Sequence, residues 1–177
     1  DVVVTNGTLS NLNTVNNIVF TADITPSAQG PISVNVGAGV AADDAGNSNT
    51  AASEVTTGYD TSRPSATIFS SASAYVNSSF SVNIQFSEEV TGFELEDLSV
   101  TNGTPSGLTT ADNRNYTVTI TPTGQGTVTI NVATNAVSDA AGNGNSLVIG
   151  TTRVYDSVNP TVTIDSSLSS YTNISPI

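Results

Sequence analysis

The chain repeats itself at a spacing of 96 residues. The segment from Asp1 to Ser10 matches the segment from Asp97 to Ser106, and the same offset aligns the rest of the chain without a gap. Of the 81 positions that overlap, 35 are identical. Self-similarity at a fixed period indicates an array of units that fold alike. Further identical pairs are Ile24 with Ile120, Asp43 with Asp139, Tyr59 with Tyr155, Pro64 with Pro160, and Tyr75 with Tyr171.

Two short polar segments that end in proline mark the boundaries of the units. Asp60–Pro64 and Asp156–Pro160 have the composition of stiffened linkers. We therefore predict that residues 60–155 form one complete unit. Residues 1–59 would be the C-terminal part of a preceding unit, and residues 156–177 the linker and first strand of a following one. Residues 1–59 lack the equivalents of residues 60–96, and the two partial units together lack the stretch that corresponds to Val82–Glu96. We expect the chain to be an internal piece of a longer protein.

Alternation of apolar and polar residues predicts β-strands. The segments Phe80–Phe86, Tyr116–Ile120 and Val128–Val132 alternate with the period of two that half-buried strands require. Turn-forming residues separate seven such short segments, and none has helical periodicity, so we predict an all-β chain of tandem antiparallel sandwiches. Further strands are expected at Ala66–Ile68, Leu98–Val100, Leu108–Thr110 and Leu147–Val154. The residues expected to face inward are Ile68, Val82, Ile84, Phe86, Val100, Tyr116, Val118, Ile120, Val128, Ile130 and Val132.

Several absences exclude large classes of function. The chain has no Cys and no His, which removes disulfides, thiolate nucleophiles and Ser-His-Asp triads. Three Arg residues stand against 15 acidic ones, for a net charge of −12. Such a chain cannot neutralise phosphates, so we expect no nucleic-acid binding. No apolar run is long enough to span a bilayer, so we expect no membrane insertion.

Acidic residues are expected to gather at one pole of the complete unit. With strands that alternate in direction, the loops 88–97, 112–115 and 134–145 fall where Asp60 enters. Neighbouring carboxylates repel unless a cation or solvent screens them, and calcium accepts six to eight oxygen ligands in flexible geometry. We therefore predict a calcium site at the junction between units. The candidate ligands are Asp60, Glu88, Glu89, Asp97, Asp139 and Asn143.

The same loop has a second interpretation. The sequence from Asp139 to Asn143 is also a good turn, since Gly142 and Asn143 tolerate positive φ and Asp139 can bond its own backbone. An EF-hand is excluded, because Gly150 occupies the position at which that loop requires Glu. Glu88 and Glu89 could indicate a glycosidase, but they are adjacent and no Trp accompanies them. We predict no enzyme, and both calcium and a purely structural turn remain open.

Four segments together resemble a known family. They are Phe86–Phe93, Asp97–Gly103, Asp139–Asn143 and Tyr155–Ile164, and they resemble the bacterial Ig-like repeats that form tandem arrays in large surface adhesins. The resemblance covers the whole chain. It implies an Ig-like sandwich and an extracellular location on the bacterial cell surface.

The predicted function is a structural spacer, or stalk, that holds a distal binding region away from the cell. Its partners would be the neighbouring Ig-like repeats of the same chain. One alternative is a module that binds glycans or host surfaces through its loops or Thr-rich strands. Another is a self-assembling filament subunit, in which Thr161–Ile164 of one copy completes residues 1–59 of another.

Overall fold

The computed structural model describes residues 1–165, and strands dominate it. The one helical segment in that range is a short 3-10 turn at Leu95–Asp97. The first five strands are β1 (Val2–Thr5), β2 (Gly7–Val15), β3 (Val19–Pro26), β4 (Gly30–Val36) and β5 (Val55–Tyr59). The other eight are β6 (Ala66–Phe69), β7 (Tyr75–Val76), β8 (Phe80–Phe86), β9 (Leu98–Thr101), β10 (Gly103–Thr110), β11 (Asn115–Pro122), β12 (Gly126–Val132) and β13 (Val148–Tyr155).

The strands β6 to β13 form two four-stranded sheets around one core. One sheet has the order β10-β11-β8-β6 and the other the order β7-β13-β12-β9. Neighbouring strands run antiparallel except for β7 and β13, which pair in parallel. Apolar side chains from both sheets form a single buried cluster, so these strands make the β-sandwich that the alternating pattern predicts.

The predicted register of this sandwich is confirmed. Ten of the eleven side chains expected to face inward are buried, and Val100 is half-buried against the same core. Ile84 is completely inaccessible to solvent. Phe86, Phe93 and Tyr116 pack edge to face, with ring centroids 4.9 to 5.8 Å apart. Such contacts stabilise aromatic clusters beyond the area that they bury.

Three details differ from the sequence-based expectation. The parallel strand β7 was not predicted, because two residues are too short to show a period. The 3-10 turn was not predicted either, and it forms where Glu94 and Asp97 cap each other's backbone. The strand β10 begins at Gly103 rather than Leu108, because a bulge between Ser106 and Thr109 interrupts the alternation.

The first unit reproduces the backbone of the second. The strands β1 to β5 correspond to β9 to β13 at the repeat spacing, and the bulge between β2 and β3 lies at Ser10 and Asn13, 96 residues before its counterpart. Asn6 and Asn102 both have a φ of 57°. The repeat is therefore one of conformation as well as of sequence.

The first unit has no counterparts of β6, β7 and β8 among the described residues. Its strands form a three-stranded sheet, β1-β4-β5, and a separate pair, β2-β3. The edge of β3 that corresponds to the β8-paired edge of β11 therefore has no partner strand among the described residues. Phe20 is 60% exposed, whereas Tyr116 at the equivalent position of β11 is 6% exposed.

The segment that follows β13 forms no strand up to residue 165, and its side chains are exposed. The segment Thr161–Ile164, which was expected to be the first strand of a following unit, is therefore not a strand here, and it has no neighbouring strand to pair with among the described residues. Residues 166–177 lie outside the described residues. Within residues 1–165, no helix has the length and apolar character needed to cross a membrane.

Candidate metal site

Three carboxylates meet where the linker enters the second unit. Oxygen atoms of Asp60, Glu88 and Asp139 all lie within 4.8 Å of one another, and we call these residues the acidic cluster. Asp139 is buried, while Asp60 and Glu88 are half-buried. Each comes from a different segment: Asp60 directly follows β5, Glu88 lies in the turn after β8, and Asp139 lies in the loop between β12 and β13. The fold thus assembles the cluster from residues that are distant in sequence.

The loop that carries Asp139 is held by a buried asparagine. Asn145 is fully buried, and its side-chain oxygen accepts a hydrogen bond of 3.0 Å from the Val137 N–H. Its amide nitrogen donates to the carbonyl oxygens of Ala133 and Ser146, both at 2.8 Å. A buried side chain with all these partners fixes the loop without an unpaired polar group.

Main-chain bonds then attach this loop to the turn after β8. The N–H of Thr91 donates to the carbonyl of Ser138 at 2.8 Å, and the N–H of Ser138 donates back to Thr91 at 3.1 Å. Because Asp139 follows Ser138 and Glu88 lies just before Thr91, this bridge brings their carboxylates to the same side.

The carboxylate of Asp139 is already well hydrogen-bonded within its own loop. Its Oδ1 accepts from the N–H groups of Ala141 and Asn143, both at 2.8 Å, and its Oδ2 accepts from the Asn143 side chain at 2.9 Å. The Asn143 side-chain bond, with help from the backbone donors, lowers the pKa of Asp139 even though burial opposes the shift. Gly142 has a φ of 88°, as the turn requires.

Asn143 joins the site through its amide nitrogen. That nitrogen donates to Asp139 and also to the main-chain oxygen of Asp60 at 3.0 Å. The sequence predicted a side-chain carbonyl ligand at this position. In the structure Asn143 instead orders two members of the acidic cluster.

Two predicted ligands lie apart from the cluster. Asp97 uses its Oδ2 to accept the Glu94 N–H at 2.8 Å, in the capping arrangement of the 3-10 turn. Glu89 is exposed, in contrast to its half-buried neighbour Glu88. The structure therefore brings together four of the six predicted residues, Asp60, Glu88, Asp139 and Asn143.

The first unit contains the same loop without the neighbouring carboxylates. Asp43 accepts from the Asn47 N–H at 2.8 Å and from the Asn47 side chain at 2.9 Å, and these bonds lower its pKa. Asn49 matches Asn145 by bonding Val40, Ala41, Gly37 and Thr50. Among the described residues only the second copy of the loop belongs to a group of three carboxylates.

Sequence reasoning missed two kinds of residue at this site. Asn145 fixes the loop from inside, and Gln29 of the first unit donates to Asp60 from the other side of the linker. The sequence did carry a signal for both residues, because the same residue recurs at the repeat spacing: Asn49 matches Asn145, and Gln29 matches Gln125. Polar residues that recur without an obvious chemical role are candidates for such positioning.

Comparison with protein families supplies the identity of the units. A family model described as a bacterial Ig-like domain matches residues 1–59 and again residues 60–154. The chain belongs to the bacterial Ig-like domain family. Bacterial Ig-like domains are typically non-enzymatic structural modules, and they commonly occur in extracellular or surface proteins. No curated protein matches the chain.

Proposed function

We propose that this chain is a spacer segment of an extracellular stalk on the bacterial cell surface, in which successive Ig-like units are joined through short linkers and held in line by a cation. The observation that carries the proposal is the position of Asp60. This linker residue follows the last strand of one unit, and its carboxylate lies beside those of Glu88 and Asp139 of the next. A cation bound there would contact both the linker and the second unit, which supports a role in joining units.

Calcium is the cation that suits the acidic cluster. Three carboxylates from three segments supply hard oxygen donors, and calcium tolerates the irregular geometry that such a set provides. Asp139 is ionised at neutral pH, since hydrogen bonds lower its pKa. A bound calcium would offset the mutual repulsion of the three carboxylates and would hold the linker against the second unit.

The chemistry of the surface suits a spacer. Ten per cent of the residues are charged, and the net charge of −12 keeps copies of a long acidic chain apart. Each unit would add roughly 40 Å, given strands of six to ten residues at about 3.3 Å per residue plus the loops. Reach would then scale with the number of units.

Small-angle X-ray scattering on the 177-residue chain tests the spacer role. A compact globule of this length has a radius of gyration of about 16 Å. We expect a clearly larger value in calcium, with a scattering profile of an elongated particle, and a more flexible profile in chelator. A radius of about 16 Å under both conditions would contradict an extended spacer.

One observation favours a second candidate function, self-association through the first unit. An open recess of about 350 Å³ is lined by residues of both sheets of the first unit, among them Leu12, Phe20, Val36 and Val40. A strand from another copy could pair with the free edge of β3 beside this recess, as in the filament hypothesis. Light scattering during size-exclusion chromatography distinguishes the two: a monomer at all concentrations supports the spacer, and concentration-dependent polymers support the filament.

A further inference from the structure

The exit of the chain from each Ig-like unit lies beside a hairpin that both copies share. The hairpin between β3 and β4 ends in Gln29 and Gly30, and the one between β11 and β12 ends in Gln125 and Gly126. Both glycines have positive φ, 122° and 109°. Gly30 pairs with Tyr59 and Gly126 with Tyr155, which are the last strand residues before each linker. Each glutamine is therefore next to the first residues of a linker.

Gln29 bonds three consecutive linker residues. Its Oε1 accepts from the Thr61 N–H at 2.9 Å and from the Thr61 hydroxyl at 3.0 Å. Its Nε2 donates to the Ser62 hydroxyl at 2.9 Å and to Oδ1 of Asp60. A single side chain thus uses both ends of its amide on the segment that leaves the unit.

Gln125 makes the same contacts with its amide oxygen at the second exit, while its amide nitrogen has a different partner. In the amide orientation that satisfies both of its ends, Oε1 accepts from the Ser157 N–H at 3.1 Å and from the Ser157 hydroxyl at 2.8 Å, while Nε2 donates to the carbonyl of Tyr155 at 3.1 Å. Ser157 stands where Thr61 stands in the first copy, so a hydroxyl is present at both positions. The bonds of the amide oxygen therefore recur in both copies, whereas the amide nitrogen bonds Asp60 and Ser62 in the first copy and Tyr155 in the second.

The linker between the two units, Asp60–Pro64, is also bonded by residues of the second unit. The Asn143 side chain donates to the carbonyl of Asp60 at 3.0 Å, and Pro64 is buried. Ser65 is then bonded to Ser87, with the Ser87 N–H donating to the Ser65 carbonyl at 2.8 Å. The linker between the units is short, and groups from both of its neighbours restrain it along most of its length.

We infer that Gln29 and Gln125 are linker locks: each fixes the direction in which the chain leaves its unit, and Gln29 thereby sets the orientation of the first unit relative to the second. The lock acts through direct hydrogen bonds and does not depend on a bound cation, although its value as a stiffening device rests on the proposed spacer function. Gln29 is a positioning residue for Asp60, supplied by the unit that precedes the acidic cluster.

The absence of cysteine makes the inference directly testable. Thr8 and Thr104 are exposed and occupy equivalent positions in the two units. Cysteines introduced at these two positions would be the only thiols in the chain, so spin labels would attach only there. Pulsed electron paramagnetic resonance on the full chain in chelator then measures the distance between the units. We expect one narrow distance distribution, at least a twofold greater width in Gln29→Ala, and an unchanged width in the matched control Gln125→Ala, which lies at the other exit.

Amide exchange on the same variants gives a local readout. We expect the Thr61 amide to exchange at least tenfold faster in Gln29→Ala and the Ser157 amide to exchange faster only in Gln125→Ala. Three results of the distance measurement would overturn the lock. They are a broad distance distribution in the unsubstituted chain, a distribution of equal width in the unsubstituted and Gln29→Ala chains, and equal broadening by Gln125→Ala. Loss of protection throughout β4 in Gln29→Ala would also overturn it, because an exposed side chain that only restrains the linker cannot determine the fold of its unit.

Repeating the distance measurement in calcium separates the lock from the cation. If calcium narrows the broad distribution of Gln29→Ala, then the acidic cluster and the lock both restrain the junction. If calcium has no effect on any variant while Gln29→Ala remains broad, the lock is supported and the proposed cation site is contradicted.

Discussion

The side chain of Asn143 donates a hydrogen bond of 3.0 Å to the main-chain oxygen of Asp60, 83 positions earlier in the chain. Asp60 is the first residue after one Ig-like unit, and Asn143 lies in a loop of the next. The same amide nitrogen also donates to Asp139. One polar side chain thus links the position of the linker to the carboxylate that is most buried in the acidic cluster.

Calcium should stabilise the chain against heat through Asp139 and not through Asp43. A ligand that binds only the folded state raises its stability, and Asp139→Asn removes one of the three carboxylates of the cluster. We expect the calcium-induced rise in melting temperature to be largely lost in Asp139→Asn and retained in Asp43→Asn. Asp43 occupies the same loop position in the first unit with the same hydrogen bonds, so it is a matched control. Equal loss in both variants would point to a general effect of charge.

Truncation of Ile84 should strongly destabilise the second unit. Ile84 is completely buried in the core between the two sheets, so Ile84→Ala leaves a cavity and should cost about 2–5 kcal/mol. Ile149, at 81% exposure, provides the control, and Ile149→Ala should change stability by less than about 0.5 kcal/mol. Chemical denaturation of both variants measures the difference. Similar costs for the two substitutions would contradict the register of β8.

Acid should weaken the second unit in a defined range of pH. Hydrogen bonds from Asn115, through its N–H and then its side chain, and from the Arg114 N–H lower the pKa of Asp112 to about 2. The unfolded value is about 3.9, so the folded state favours the ionised form. The contribution of Asp112 to the stability of the folded state is complete at neutral pH and is lost as the pH falls from about 4 to about 2. Asp112→Asn should flatten this part of the stability curve, and an Asp112 pKa near 4 by NMR titration would contradict the expectation.

Corresponding strands of the two units should differ in amide protection. Among the described residues β3 pairs only with β2, whereas β11 pairs with both β10 and β8. The face above β3 is also open, as the exposure of Phe20 shows. Hydrogen exchange should therefore be faster in Val19–Pro26 than in Asn115–Pro122, by about tenfold or more. Equal protection would mean that something covers the first unit in solution, and self-association would then be the first explanation to test.

The sequence predicted the sandwich because its strands alternate cleanly. Ile84, Val118 and Ile130 each follow the period of two, and all three are buried as that pattern requires. The short parallel strand β7 escaped prediction, since its position depends on contacts with β13 rather than on any local pattern. The contacts of Arg153 of β13 could not be predicted for the same reason, because it donates to the carbonyls of Ser70 and Ala72, more than 80 residues away.

The sequence predicted where the candidate site lies but not which of the nearby acidic residues form it. Alternating strand direction was enough to place the loops of Glu88 and Asp139 at the pole where Asp60 enters, and these three side chains do meet. The separation of Glu88 from Glu89 depends on the path of the turn after β8, and the use of Asp97 as a cap depends on the 3-10 turn. Neither feature has a periodic signal in the sequence.

Isothermal titration calorimetry with calcium tests the central claim most directly, namely that a cation joins the linker to the second unit. We expect the 177-residue chain to bind calcium with measurable heat at millimolar or lower concentration, and we expect Asp60→Asn and Asp139→Asn each to weaken that binding while Asp43→Asn leaves it intact. No heat of binding at millimolar calcium, together with a melting curve that chelator does not change, would contradict the claim and would leave the loop from Asp139 to Asn143 as a purely structural turn.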